Sequence, residues 1–386
     1  MNTQPFDSAK SIDAPFGNQA SRSKVISTDA PIDVEVYGPE CLCGSIENHW
    51  NRIRSSNPVF KSPYFDIKFT QAVGRVRDDV RIAIVLSLGE VVGFLPFQEN
   101  KPGHAVPVGG LLNDWHAIMG TQSSEVLQQI LKAAKLNSFK FHAINAEEDG
   151  LEKYYFREFK SHYLDLSDGW EAYQKWVFKN SSAVKRQGQK TRGLARKFGE
   201  IRFEFESDDA NQLERLIELK RAKYQRSNTF DILGVRWASN LLRELHQIRD
   251  SNFRGVLSVL WAGDHMVGAH FGMLTEETLH YWFPVYDPAF HKFSPGTEML
   301  MQSAKYACDI GIRKLDLGYG DDSYKFRFCN ADEPVAFGMA NLSPLSRTMA
   351  KYQYSFRNQL KQIPMKPLAK RILRKFYPRF GGWNYR

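Results

Sequence analysis

The residues from Tyr286 to Phe328, "YDPAFHKFSPGTEMLMQSAKYACDIGIRKLDLGYGDDSYKFRF", gather a Pro-Gly turn, a lone strand carboxylate and a basic pair within about forty positions. In a strand over "YKFRF", alternation puts Lys325 and Arg327 on one face and Tyr324, Phe326 and Phe328 on the other. Two adjacent cations backed by aromatics suit an anionic ligand, although a solvated edge strand would read the same way. Asp316 lies between Leu315 and Leu317 and just before Gly318 and Gly320. A carboxylate at a strand end beside glycines can act as a general base, anchor a substrate amine or cap a loop. The turn "SPGT" opens a helix whose free N–H groups and positive dipole end suit a phosphate at Ser294, Gly296 and Thr297. Against this, Pro295 has no N–H and Glu298 places a negative charge in the first turn, as an ordinary capped helix start would. His270, in "VGAHFGM", is either a hydrogen-bonded core residue or a catalytic base. The sequence contains no Ser-His-Asp order, no P-loop and no H-E-x-x-H.

The elements that must position these residues follow from periodicity. "VRIAIVLSLGEVVGFLPFQEN" reads as two strands around a tight turn at Leu88–Glu90. Leu127 to Leu136 has helical spacing, and "FKFHAINAE" resembles a following strand. The pattern returns in "FRGVLSVLWAGDHMVGAHFGML", a strand, a Gly-plus-acid turn and a strand, followed by a third strand, "TLHYWFPVY". Leu300, Ala304, Ala307 and Cys308 then share one helical face, Gly311 ends that helix, and "RKLDLGYG" forms the next strand. The crossover helix makes the strands on either side of it parallel neighbours in a mixed sheet. "GEVVGFLPF" and "GDHMVGAHFGM" share a Gly-acid, Val-Gly, aromatic order, so two α/β units of one kind are the simplest account.

Composition bounds the class. A chain of 386 residues with 42% hydrophobic and 25% charged residues is ordinary for a globular protein. No apolar run approaches the roughly 18 residues needed to span a bilayer. Four cysteines do not make a disulfide framework, and the isolated Cys41-x-Cys43 pair predicts no metal site, so the expected compartment is the cytoplasm. Residues 346–386 hold eleven Lys/Arg and no acid, more than the whole chain's net charge of +9, so the other 345 residues carry −2. Basicity is therefore a property of the tail, which argues against a domain built throughout for nucleic acid; the tail itself suits an anionic membrane surface, a nucleic acid, or packing of its aromatics onto the body with the cations in water. A second basic stretch, Ala172–Gly199, has eight Lys/Arg and no acid. Arg186, Lys190 and Lys197 share one helical face there, Lys185, Arg192 and Arg196 another, and Gly188 and Gly193 are expected to weaken the helix.

Tyr286-Asp287-Pro288, Ser294-Pro295-Gly296-Thr297, the helix ending at Gly311 and "LDLGYGDDSYKFRF" together resemble the CelD/BcsL-type acetyltransferases of bacterial cellulose and exopolysaccharide synthesis. These are GNAT-like enzymes with a domain related to the FemAB peptidyltransferases. The resemblance covers roughly residues 34–342. It implies a mixed α/β tandem GNAT-like fold, with an N-terminal unit at 31–165, an acetyltransferase unit at 166–345, and tails at 1–30 (disordered) and 346–386. It also implies acyl transfer from acetyl-CoA or another acyl-CoA, without a metal, to an amine or hydroxyl of a glycan or cell-envelope precursor. Under that implication Asp316 is base or amine anchor, His270 the second candidate base, and Tyr286, next to Asp287, the donor of a proton to the leaving thiolate. Ser294, Gly296 and Thr297 would hold the donor's pyrophosphate, and Lys325, Arg327 and Asp287 the substrate. "HKFSPGT" departs from a Gly-rich phosphate loop, which leaves open a Fem-like aminoacyl-tRNA donor. A non-catalytic scaffold at the inner membrane surface is the third reading.

Overall fold

The computed structural model describes residues 31–121, 123–146, 150–320, 325–343, 348–352 and 354. The expected disordered tail at 1–30, most of the basic tail and Tyr324 lie outside the described residues. The first part of the chain runs β1 (Ile32–Tyr37), α1 (Gly44–Ser55), α2 (Ile67–Val76), β2 (Val80–Ser87), β3 (Glu90–Lys101), β4 (His104–Pro107), β5 (Met119–Gly120), α3 (Ser124–Ala133), β6 (Ser138–Asn145) and β7 (Tyr155–Asp165). The second part runs α4 (Trp170–Asn180), α5 (Ser182–Lys185), α6 (Gln187–Phe198), β8 (Ile201–Glu204), α7 (Ala210–Arg226), α8 (Arg236–His246), β9 (Phe253–Ala262), β10 (His265–Thr275), β11 (Thr278–Tyr286), α9 (Pro295–Asp309), β12 (Lys314–Tyr319) and β13 (Ala331–Asn341).

The local rules hold where they were sharpest. β2 and β3 meet at Leu88 and Gly89, both with positive φ, the geometry that suits a two-residue hairpin. α9 buries Leu300, Ala304 and Ala307, and stops before Gly311 at φ +87°. The basic stretch is not one helix. It bends at Ser181 and again at Arg186, while α6 continues through Gly188 and Gly193.

The thirteen strands of the described residues join one mixed sheet, in the order β1-β2-β3-β4-β6-β13-β7-β12-β11-β10-β9-β8, with β5 attached to β3. That order is a palindrome of the repeat. β1 to β3 on one flank answer β8 to β10 on the other, β4 answers β11, and β6 answers β12. The last strand of each repeat crosses over. β13 pairs with β6, β7 pairs with β12, and β7 and β13 pair with each other along most of their length. The expected division near residue 165 falls at the end of β7, and the sheet runs across it without a break.

Helices cover both faces. On one face α1, α2, α7 and α8 bury a large core that includes Trp50, Phe69, Leu241 and Phe271. On the other, α4, α6 and α9 close over Leu260, Leu279, Leu315 and Leu317, and α3 covers Phe97 and Phe141 at the far end.

Between β10 and β11 the register shifts: Phe271 faces Phe283, but Met273 faces His280. Two steps on β10 match three on β11, so β11 bulges at Tyr281–Trp282 opposite Gly272. A Cβ at Gly272 would lie 2.2 Å from the His280 carbonyl oxygen. Gly272→Ala is therefore expected to lower unfolding free energy by roughly 1–3 kcal/mol through overpacking, read from urea or thermal denaturation.

Candidate active site

β11 and β12 are parallel neighbours for only three residue pairs, ending at His280–Asp316. Beyond that pair β11 follows β10 to Tyr286, while β12 follows β7 to Tyr319. The strands part there and a cleft opens in the middle of the sheet. In an open α/β sheet, such a crevice beyond the carboxyl ends of parallel strands is where ligands bind.

A charged group is buried where the cleft begins. The imidazole of His280 has no solvent exposure; its Nδ1 donates to Asp316 Oδ2 at 3.1 Å. On the other side, His280 Nε2 lies 2.8 Å from the Tyr64 hydroxyl and 3.5 Å from Asp114 Oδ2. Asp316 Oδ1 accepts the Gly318 N–H at 2.8 Å. Burial alone would push His280 down, but hydrogen bonds and charge from Asp114 and Asp316 outweigh it and raise the group to about 9. Burial likewise opposes ionisation of Asp316, yet the bond and charge of His280 hold it down to about 2. At neutral pH this is an imidazolium between two carboxylates. Burial first, then Asp114 and Asp316, keeps the Tyr64 phenol protonated.

Two of these four residues come from the first part of the chain. Tyr64 sits in the 3-10 turn Pro63–Phe65, and Asp114 in the loop before β5. That loop is fixed by its neighbours: Asn113 donates to the Val108 carbonyl and accepts from the Trp115 N–H, each at 2.9 Å. The Asp114 carboxylate lies over Gly318, where φ is +71° and a Cβ would meet Oδ2 at 2.7 Å. Only glycine meets both demands.

The other end of the cleft is the start of α9. Ser294 adopts a left-handed conformation, φ 54°, and its Oγ accepts a 2.6 Å hydrogen bond from Lys190 Nζ on α6. Thr191, one residue on, donates to Glu298 Oε2 at 2.6 Å, which holds the first-turn carboxylate within the protein. Tyr286 is partly exposed, with its ring against Gly296. The Thr297 N–H is turned back onto the Ser294 carbonyl.

Several expected site residues stand elsewhere. Asp316 is central, but both of its oxygens are engaged within the protein and it does not open onto the cleft. His270 is fully buried under α9's side of the sheet and stacked on Tyr281 at 3.9 Å, a core position without access to substrate. Tyr286 is six residues along β11 from His280, roughly 20 Å away at strand rise, so it shares the donor end and not the charged group. Residues Lys325–Arg327 form a 3-10 turn, not a strand. Lys325 is buried there and donates to the carbonyls of Gly318 and Tyr319 at 3.0 and 2.7 Å, fastening the end of β12; Arg327 is exposed. The alternation that made them a cationic pair therefore fails. Asp287 caps its own turn by accepting the Ala289 N–H, with Arg215 at 3.7 Å.

His280, Tyr64, Asp114 and the Lys190–Ser294 contact were not anticipated from the sequence. A strand register would have found His280, because aligning "TLH" with "KLD" as parallel neighbours sets it against Asp316. Nothing in the spacing of Asp114 or Tyr64 points across the sheet. Among the described residues, no group of three or more His, Cys, Asp or Glu can hold a metal, and no helix is long and apolar enough to cross a membrane.

Residues 181–326 match the family described as "Acetyltransferase (GNAT) domain". That span runs from the start of α5 to the turn after β12 and contains both ends of the cleft. The match to that family lies within the second part of the chain. No curated protein matches the chain. Among solved structures, FemX matches at 14% identity and TM-score 0.48, over 70% of this chain and 90% of that one. A tandem GNAT protein from the clavulanic acid biosynthesis pathway matches at 9% and 0.47, over 81% and 99%. The C-terminal domain of a putative lysylphosphatidylglycerol synthetase from Agrobacterium fabrum matches at 12% and 0.43, over 74% and 90%. At such identities no substrate carries over from any of the three. With its palindromic sheet, the chain has a mixed α/β tandem GNAT-like fold.

The charged group makes stability depend on pH. His280 binds its proton more tightly folded than unfolded, so between the ordinary value of 6.5 and about 9 the folded state holds more protons. Its contribution is complete below pH 6.5 and is lost as pH rises through about 9. Asp316 is depressed, so its contribution is present above about 3.8 and is lost as pH falls through about 2. The urea midpoint of the wild-type protein is expected to fall between pH 6.5 and 9. In His280→Gln that part of the slope should vanish.

Proposed function

We propose that the protein transfers an acyl group, acetyl from acetyl-CoA first of all, to an amine or hydroxyl of a polysaccharide or other cell-envelope precursor. The observation that carries this reading is the parting of β11 and β12 at the buried His280–Asp316 pair, with the start of α9 at the far end. An extended donor arm fits between them. Its phosphates would lie at Ser294 and Gly296, and its acyl carbon would lie at the bulge of β11.

The Gly-poor turn "HKFSPGT" is answered by α6. Pro295 lacks an N–H and Thr297 spends its own within the turn, so the α9 start offers few donors. Lys190 supplies a cation at the same point, and a lysine serves a phosphate as a point charge. Tyr286, partly exposed beside Gly296, belongs to this donor end. The resemblance of Tyr286–Phe328 to the CelD/BcsL-type enzymes supports an acceptor from cellulose or exopolysaccharide synthesis. The basic tail would then hold the enzyme at the cytoplasmic face of the inner membrane.

Calorimetric titration with acetyl-CoA and CoA tests the donor. Micromolar binding is expected, weakened about tenfold or more in Lys190→Ala, the worth of one hydrogen bond to a charged group. No binding to either would turn the reading to an aminoacyl-tRNA donor. The exposed cations Lys185, Arg186, Arg192, Arg196 and Lys197 would then be its expected contact. For the tail, sedimentation with anionic liposomes should retain the full chain and lose a chain ending at residue 345. Equal sedimentation of the two removes the membrane role.

A further inference from the structure

We propose that Asp114 is the catalytic base of this site, contacting the acceptor and taking its proton although it belongs to the other half of the sheet. The assignment rests on the acyl-transfer reading above. Of the four residues in the charged group, His280 is completely enclosed and the Asp316 side chain is 6% exposed, whereas that of Asp114 is 23% exposed. Tyr64 is 3% exposed and its hydroxyl is committed to His280. Only Asp114 both touches the group and opens outward. It does so over Gly318, just past the last β11–β12 pair, where the acyl carbon of a donor in the cleft would have to end.

The surroundings fix that carboxylate without using it up. The Asn113 turn holds its backbone, and the His116 N–H donates to the Ala143 carbonyl of β6 at 3.2 Å, tying the loop to the sheet. The His280 imidazolium, 3.5 Å from Oδ2, orients it by charge while Asp316 neutralises the imidazolium from behind. His280, Asp316 and Tyr64 are then positioning residues. The aromatic rings of Trp282, Tyr319 and Tyr224 are each partly exposed around this face. Their neighbourhood is visible in the ring contact of Trp282 with His280 at 6.1 Å, and in the pull of Asp114 on Tyr224.

In the step itself the acceptor's X–H gives its proton to Asp114 as X attacks the thioester carbon. The tetrahedral intermediate then breaks its C–S bond, and the carboxyl proton passes to the departing thiolate. Acceptor and acyl donor become acylated acceptor and free thiol, and Asp114 ends as it began. The donor enters from the α9 face and the acceptor from the Asp114 face, so the two substrates meet through the opening in the sheet.

The test follows thiol release from acetyl-CoA by the full-length protein, with ethanolamine as a probe carrying both an amine and a hydroxyl. Wild-type protein should release thiol above the buffer rate, and Asp114→Asn should lower kcat about 100-fold. Its acetyl-CoA Kd should stay within twofold, and Asp114→Glu should recover part of the rate with a displaced pH profile. Asp114→Asn at full rate overturns the proposal, and so does a loss of rate matched by a loss of donor affinity, which would mark a structural role. Bound acetyl-CoA with no release by wild-type protein overturns it as well. Failure of wild-type protein to bind acetyl-CoA defeats the donor reading, and this assignment falls with it.

Discussion

The exchange of β7 and β13 is the constraint on which the rest of the molecule depends. A repeat that kept its own last strand would end in two free edges, each a row of unpaired backbone groups. Here each repeat lends that strand to the centre. β13 enters between β6 and β7, and β7 lies against β12. Along β13 the pairing runs from Ala331 to Asn341, so separating the halves would expose a long stretch of backbone. The halves are therefore one rigid body at the centre, and the distance from the Asp114 loop to β12 is fixed by ladder geometry.

That rigidity permits an opening elsewhere. The sheet gives up hydrogen bonds between β11 and β12 after three pairs, and each strand finds a different partner on its far side, β10 or β7. Along the inner rims side chains take over part of the pairing: Asp316 accepts the Gly318 N–H, Lys325 donates to the Gly318 and Tyr319 carbonyls, and Lys220 donates to the Pro284 carbonyl. Gly272 and Gly318 mark the two rims. One makes room for the bulge in β11 and the other for a carboxylate from across the sheet. Neither substitution would be tolerated by a neighbour's small adjustment alone, because backbone oxygen faces Gly272 and a left-handed φ is required at Gly318.

The sequence made the elements legible where one residue type settled the matter. Gly89 and Gly311 marked a turn and a helix end, and the repeated Gly-acid, Val-Gly order announced two units of one kind. Asp316 stood out because glycines follow it. What could not be read was everything decided by pairing across long separations. His270 and His280 both sit in apolar strands, and only the register shows that one stacks under a helix while the other meets Asp316. Tyr64 and His280 are 216 residues apart and touch because β7 and β13 change places. "YKFRF" failed for a local reason: the chain turns after β12, and Lys325 is drawn in to satisfy two carbonyls that a continuing strand would have paired. Nothing in the spacing of the basic stretch sets Lys190 apart from its neighbours; its contact with Ser294 does.

The buried charges argue for function on energetic grounds. Removing a carboxylate or an imidazolium from water costs several kcal/mol per ion, and a buried pair often contributes no more to stability than apolar residues of the same volume would. His280 and Asp316 lie between cores rich in Leu, Phe and Met, so an apolar packing of this strand crossing was open to the fold. The protein instead keeps an imidazolium with a carboxylate on each side, one enclosed and one open to the cleft. Stability alone gives no reason for that asymmetry. A site that must hold one carboxylate still, charged and facing a reacting group does, because a group fixed in advance needs no reorganisation when the proton moves.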